Sequence, residues 1–379
     1  MPQRRYASVH VVGSNGKSSV AAFTAALLGR SGFATGTYLS PHAERWSERI
    51  RLGGEEIGAD EFAEAVGRVA DAVPAVERRL ERGDLVTQFE AATAAALLAF
   101  AAAGVEVAIV EAGLGGRLDA TNVLPSRVTA LTSIGLEHTE YLGETEIEIA
   151  TEKLGVLNER SALICGRLPP DVAALAKRTA AERHARFVDA SAPAAMPALA
   201  RRAPYLARNL AVAVAAAQEI AGPLAGGLVS DVAGGLSLPG RMELRAGDPP
   251  ELRDAAHNPD GAQALAEALD NVAEGRPVVA CVATLEGKDA GAMMKALAPS
   301  LSAVVATRVP PETLAGAGRP GTVSLPAASL AAAARAAGVA EVHEVDDPAA
   351  ALALAHELAR ERGGVALTTG SHYLLGYGS

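Results

Sequence analysis

A chain of 379 residues, 49% hydrophobic and 21% charged, is long enough for two packed domains at roughly 100–200 residues each. Its net charge of −10 offers no basic field for a phosphate backbone or an anionic membrane surface, which argues against nucleic acid and membranes as partners. No apolar run reaches the roughly twenty residues of a membrane span, and "MPQRRYASVH" is not followed by a signal-peptide core, so a cytoplasmic protein is expected.

Along the chain, short β-rich runs alternate with Ala-rich helical patterns, the signature of α/β folds with a mainly parallel sheet covered on both faces. "YASVHVVG" reads as the first buried strand and "SSVAAFTAALLGRSG" as a helix. Between them Gly13, Ser14, Asn15, Gly16, Lys17 and Ser18 form a turn in the strand–turn–helix context of a phosphate loop. There, backbone N–H groups face the anion and a lysine reaches the outer phosphates. The first glycine of the G-x-x-x-x-G-K-[ST] pattern would fall at Val11, so the loop is a shortened form.

"EAATAAALLAFAAAG" has apolar positions at helical spacing and a closing glycine. The strand "VEVAIVEAG" then delivers Glu111 to its carboxyl end, and "SRVTALTSIG" places His138 just beyond the next strand. Ligands of open parallel sheets gather outside those strand ends, so Lys17, Glu111 and His138 are candidates for one site. A carboxylate in an apolar strand needs a cation, and Mg²⁺ takes hard oxygen ligands such as Ser18, Ser40 and Glu111, with His138 as an unusual nitrogen ligand.

The stretch "GGLSLPGRMELRAGDPPELRDAAHNPDG" has the Gly, Pro and charge content of a linker, and the domain boundary is placed near Leu238. Beyond it "RPVVACVATL", "SAVVATRV", "EVHEVD" and "GVALTTGS" read as strands. The expected architecture is an N-terminal P-loop domain, residues 1–238, with a mainly parallel sheet, and a smaller C-terminal Rossmann-like α/β domain, residues 239–379, with a cleft between them. Cys165 and Cys281 lie in apolar strand-like runs and read as core residues.

These segments, in this order, resemble the folylpolyglutamate synthase and dihydrofolate synthase branch of the Mur ligase superfamily. The blocks are "GSNGKSS", "YLSPHAERWSERIRLGGEEI", "TQFEAATAAALLAF", "EAGLGGRLDATN", "TSIGLEHTEYLG" with "EIATEKLG", "LPGRMEL", "DAAHNPDGAQALAEAL" and the terminal "TTGSHYLLG". The resemblance implies an ATP-dependent ligase that phosphorylates a carboxylate of dihydropteroate or of a folate and lets the amine of L-glutamate displace phosphate. By similarity, ATP would be held by Gly13, Ser14, Asn15, Gly16, Lys17, Ser18 and Ser19, with Arg241 and His257 reaching its γ-phosphate. Asp254 would face the ribose, and Asn209 of "YLARNLA" the adenine. Ser18, Ser40, Glu111 and His138 would ligate Mg²⁺, and Thr87, Phe89 and Asp119 would contact the pterin.

Lys153 of the Glu152-Lys153 pair matches a lysine that is often carbamylated in the family, which implies a second metal site with a carboxylate-like ligand. The alternative is a helix-surface lysine paired with Glu148 or Glu152. Lys17, His138, Lys153, Arg241 and His257 are therefore the expected catalytic set. Small molecules are the expected partners, and a monomer the expected state. The family carries a few dozen residues before the phosphate loop, and this chain has only "MPQRRYASVH" there, so part of the pterin cover is expected to be absent.

Three further readings remain at this stage: a ligase of the same mechanism acting on another carboxylic acid, a P-loop kinase or nucleotide switch, and a binding protein that has lost activity. The second gives no role to the ordered blocks after Leu238. The third conflicts with candidate charged positions that are all filled.

Overall fold

The computed structural model describes residues 1–42, 44–81, 83–192, 196–316 and 321–378. Two compact units divide the chain. One comprises Met1–Met196 and Leu206–Leu236, the other Pro197–Tyr205 and Ser237–Ser379.

The first unit is built on β1 (Ala7–Val12), β2 (Thr35–Tyr38), β3 (Ile50–Leu52), β4 (Glu55–Glu56), β5 (Val107–Glu111), β6 (Val128–Leu131), β7 (Ala162–Cys165) and β8 (Arg186–Asp189). They form one sheet in the order β4-β3-β2-β5-β1-β6-β7-β8. From β2 to β8 the pairing is parallel, and only β3 and β4 run antiparallel at one edge. Residues of β1, β5, β6 and β7 are buried almost without exception, as expected of parallel strands covered on both faces.

Helix Gln88–Ala102 starts with a capping box: Glu90 N–H donates to the Thr87 hydroxyl at 3.2 Å, and the Glu90 carboxylate accepts from Thr87 N–H at 2.8 Å. The helix then packs Ala95, Ala96, Leu97, Ala99 and Phe100 into a core with Tyr6, Tyr38 and Val110. A second core on this unit joins Val12, Leu131 and Leu163 to Ile149 and Leu154 of helix Glu146–Leu154. Cys165 is buried in it as a free thiol, pushed up to about 12 by desolvation, and Cys281 is likewise free and buried.

The second unit has β9 (Glu243–Arg245), β10 (Glu251–Asp254), β11 (Val278–Val282), β12 (Ala303–Ala306), β13 (Val342–Glu344) and β14 (Val365–Thr369) in the order β13-β12-β11-β14-β10-β9. All pairs are parallel except β9 with β10. Here the structure corrects the sequence reading, because the stretch taken as a linker contains β9 and β10. The "ELRD" of β10 is fully buried despite three charges in four residues. Partners make that tolerable: Glu251 accepts from the Thr368 hydroxyl at 3.0 Å and lies 3.8 Å from both Arg253 and His356. Among the described residues no helix is long and apolar enough to cross a membrane.

Candidate functional site

Strand order places the chemistry of the first unit. Because β2, β5, β1 and β6 are adjacent and parallel, their carboxyl ends bring Ser40, Glu111, the 13–16 loop and Thr132-Ser133 to one edge of the sheet. The loop is pinned to the end of β6. Ser14 N–H donates to Ser133 O at 2.8 Å, Asn15 N–H to the Ser133 hydroxyl at 3.0 Å, and the Thr132 hydroxyl to Asn15 O at 2.6 Å.

Only glycine fits at two of its positions. A Cβ on Gly13, at φ +145°, would lie 2.0 Å from Thr132 Oγ1, and one on Gly16, at φ +85°, would lie 2.6 Å from Asn209 Oδ1. Helix Lys17–Arg30 begins directly after Gly16 without a side-chain cap, and its first backbone bond is Val20 N–H to Gly16 O. The N–H groups of Lys17, Ser18 and Ser19 thus stand at a helix start, the arrangement that binds an anion.

Glu111 is 2% exposed and accepts from the Ser18 hydroxyl at 3.1 Å and from Ser40 N–H at 3.2 Å. The structure therefore brings together three of the residues expected at the metal, Ser18 through its hydroxyl and Ser40 through its backbone N–H. A hard-oxygen set of one carboxylate and hydroxyls fits a cation such as Mg²⁺, which keeps waters and phosphate oxygens in its shell. Among the described residues no three His, Cys, Asp or Glu side chains form a metal cluster by themselves, so a metal here would take the rest of its ligands from nucleotide and water.

A second group sits on the same loop. Lys17 Nζ donates to Gly13 O at 2.8 Å and Ser14 O at 3.1 Å, and Lys153 Nζ donates to the same Gly13 O at 3.1 Å. Lys153 is 2% exposed and paired with Glu137 at 2.9 Å, which overturns the surface-lysine alternative. The acids named for that alternative are engaged elsewhere: Glu152 pairs with Arg117, and Glu148 caps its own helix at Thr145. Burial pushes the Glu137 carboxyl up, but the ammonium groups of Lys17 and Lys153 outweigh it and hold it at about 2. Burial lowers Lys153, Glu137 opposes it, and Lys17 adds to the lowering. His138, in the left-handed region at φ 47°, also acts on Glu137 and lies 3.8 Å from Glu140. Sequence reasoning missed Glu137, although its place beside His138 in "GLEHTEY" was a usable signal.

Two of the three residues matched to pterin contacts, Phe89 and Asp119, share one glycine turn. Asp119 accepts from Gly113 N–H at 3.0 Å, Leu114 N–H at 2.8 Å and Thr121 N–H at 3.0 Å, and from the Thr121 hydroxyl. The Phe89 ring covers Gly113, where a Cβ would come within 2.4 Å of it, and lies 6.0 Å from the Tyr38 ring. Thr87 caps the helix that carries Phe89. Behind them His10 of β1, which was not singled out, contacts the Thr121 hydroxyl through Nε2 at 2.8 Å, and burial lowers its pKa to about 4 against the pull of Asp119.

Asn209 packs on the phosphate loop at Gly16. Ser19 is buried, and its hydroxyl has no hydrogen-bond partner among the described residues.

In the second unit, β10 and β14 are neighbours with Asp254 opposite Thr369, so their carboxyl ends deliver His257 and His372 side by side. Their rings are 5.9 Å apart. Asp254 is 4% exposed, and its carboxylate accepts from the Tyr205 hydroxyl at 2.6 Å, Met242 N–H at 3.0 Å and Ala256 N–H at 2.9 Å. Burial raises Asp254, and Arg241 is the leading influence against that rise. Arg241 donates through Nη1 to Gly240 O at 2.8 Å and through Nη2 to His372 Nε2 at 3.0 Å. Tyr205 and His372 were not anticipated as members of this cluster.

Residues 240–372 match the glutamate ligase domain of Mur ligases. The dihydrofolate synthase/folylpolyglutamate synthase of Mycobacterium tuberculosis is 31% identical over 345 residues, covering 81% of this chain and 71% of that protein. Among solved structures, a Mycobacterium tuberculosis folylpolyglutamate synthase complexed with ADP superposes with a TM-score of 0.89 at 29% identity, over 100% of this chain and 90% of the other. The bifunctional enzyme of Yersinia pestis, complexed with AMPPNP and a manganese ion, does so at 0.81 and 27% identity, over 99% and 89%.

Proposed function

This chain belongs to the folylpolyglutamate synthase/dihydrofolate synthase family of Mur ligases, and we propose that it is an ATP-dependent ligase joining L-glutamate to dihydropteroate, to a folate, or to both. The observation that carries the reading is the pinned 13–16 loop with Glu111 held on Ser18 and Ser40. In this reading residues 1–238 bind ATP and residues 239–379 form the glutamate-ligase domain.

Transfer of a phosphoryl group is mainly positioning and charge neutralisation. The N–H groups at the start of helix Lys17–Arg30 hold the nucleotide phosphates, and Lys17 turns from the loop carbonyls to the outer ones. Ser18, Ser40, Glu111 and His138 would hold a Mg²⁺ ion, which would supply further neutralisation of phosphate charge. A substrate carboxylate oxygen attacks the γ-phosphorus, ADP leaves, and the amine of glutamate then attacks the acyl carbon and expels phosphate. Arg241 and His257 donate to the transferred group. Phe89 and Asp119, fixed on the Gly113 turn, offer the pterin a ring face and a carboxylate, with Thr87 beside them. Asp254 and Asn209 keep their nucleotide assignments, the first through the backbone it orders and the second through Gly16.

Lys153 is the residue for a second metal site. Burial lowers its pKa, which favours the neutral amine that adds CO₂ and releases a proton to become a carbamate. Intact mass of active enzyme prepared in bicarbonate should show the carbamate, and an unmodified Lys153 there would remove this part of the reading.

The function is tested by release of ADP and phosphate with dihydropteroate, or with mono- or diglutamyl tetrahydrofolate, each with and without L-glutamate. Release should require acid and glutamate together. Release with acid alone would indicate a kinase, and no release under any condition would overturn the proposal.

A further inference from the structure

Arg241 is held by an unusually specific set of contacts. It lies between two residues of positive φ, Gly240 at 63° and Met242 at 46°. The turn is fixed by Arg241 N–H to Leu238 O at 3.0 Å, Gly240 N–H to the Glu243 carboxylate at 2.8 Å and Met242 N–H to Asp254 at 3.0 Å. It also rests on the helix His372–Leu375, since a Cβ on Gly240 would lie 2.5 Å from Leu375 Cδ1. The backbone of residue 241 and the helix bearing His372 are therefore set against each other by packing, independently of the Arg241 side chain.

A guanidinium has five N–H donors and no acceptor, so the 3.0 Å contact from Arg241 Nη2 can only be a bond donated to the lone pair of His372 Nε2. His372 must then be neutral with its proton on Nδ1. Gly240 O, on the adjoining residue, anchors the other arm of the fork at 2.8 Å. His372 is the contact from a distant part of the chain that fixes the direction of the fork, and one of the five donors is used to do so, with a second on Gly240 O.

We propose that His372 is a positioning residue: its neutral Nε2 orients the Arg241 guanidinium so that the remaining N–H groups face the phosphoryl group being transferred. The proposal rests on Arg241 serving the proposed ligase reaction. Orientation of a donor toward charge that develops during transfer acts on turnover more than on nucleotide binding. Loss of one hydrogen bond to a charged group predicts a fall in kcat of about ten- to a hundredfold.

Two measurements keep the inference separate from the functional reading. A long-range proton–nitrogen correlation spectrum of the full chain should show His372 as the Nδ1–H tautomer, and a protonated Nε2 would overturn the proposal whatever the activity. In the ligase assay, His372→Leu should lower kcat by that factor with KM for ATP nearly unchanged. His372→Gln, whose side-chain oxygen can take the place of Nε2, should recover most of it. Leu as active as wild type, or Gln no better than Leu while both keep the wild-type melting temperature, would overturn it. A wild-type chain with no ligase activity would refute the ligase reading instead, and the tautomer would still decide the Arg241–His372 link.

Discussion

Removing either half of the Lys153–Glu137 pair should destabilise the first unit, and the two halves should differ. The nitrogen and oxygen are 2.9 Å apart, and the side chains are 3% and 6% exposed. Deleting one partner of such a pair leaves an uncompensated buried charge, about 3–5 kcal/mol. Lys153→Met leaves Glu137 with Lys17, whose ammonium also acts on it, so the loss should fall near the lower end, about 3 kcal/mol. Glu137→Gln leaves two ammonium groups within 3.1 Å of the same Gly13 oxygen and no counter-charge, so the loss should approach about 5 kcal/mol. It should shrink as pH rises, because burial and Lys17 already lower Lys153 and the neutral amine relieves the repulsion. The double variant Glu137→Leu/Lys153→Met removes both charges and should recover most of the loss while remaining inactive. Trp46, the only tryptophan, lies in the first unit with the Arg49 guanidinium 4.4 Å from its ring, so its fluorescence reports urea unfolding of that unit alone. The measurement is made in EDTA and without bicarbonate, where Lys153 is the unmodified amine paired with Glu137. Losses below about 1 kcal/mol, or Lys153→Met costing more than Glu137→Gln, would refute the reasoning.

Arg241→Ala should lower kcat about a hundredfold while changing the dissociation constant for ATP less than about threefold, read by stopped-flow and nucleotide titration; equal losses in both would count against its transfer role. His10, lowered to about 4 by burial, takes up its proton in the unfolded chain near 6.5 but not in the folded one. Stability is therefore full above pH 6.5 and should fall by up to about 3 kcal/mol as pH drops to 4, a slope that His10→Gln should flatten. Gly116→Ala places a Cβ 2.7 Å from Lys153 O and 2.8 Å from Glu152 O, both backbone atoms that cannot rotate away. It should lose about 1–3 kcal/mol in the Trp46 assay, and an unchanged midpoint would show that the turn does not approach the Lys153 helix so closely.

The strands with apolar runs, β1, β5, β6, β11, β12 and β14, were legible in the sequence because their burial on both faces is written as hydrophobicity. β10 was not, since "ELRD" carries the composition of a loop and becomes a buried strand only through Thr368, His356 and its own Arg253. The phosphate loop was legible as a local motif, and so was the position of Glu111 at a strand end. His10, Tyr205 and His372 were not, because each acts on a partner far along the chain, whereas Glu137, 16 residues from Lys153, was signalled by its place beside His138 and missed. His10 meets Thr121, Tyr205 meets Asp254, and His372 meets Arg241 at separations of 111, 49 and 131 residues.

Those partnerships follow from strand order. β1 lies between β5 and β6, so the residues after Val12 meet the ends of strands about a hundred residues away, and the loop can be pinned by Ser133 while Ser18 reaches Glu111. β10 lies beside β14 in the other unit, which sets Asp254 opposite Thr369 and lets the two following turns face each other as His257 and His372. In each unit the backbone is held by neutral or capped groups: Thr132 and Ser133 on one side, Asp254 with its three donors on the other. The cations then rest on carbonyls and an imidazole, Lys17 on Gly13 and Ser14, Arg241 on Gly240 and His372. Lys17 also acts on Glu137 and Arg241 on Asp254, but among the described residues neither is hydrogen-bonded to a carboxylate, so each can turn to an anion at a smaller cost than breaking a direct ion pair. Lys153, hydrogen-bonded to Glu137 at 2.9 Å, differs from them in that respect, which is the physical reason to expect it to serve structure or metal rather than phosphate.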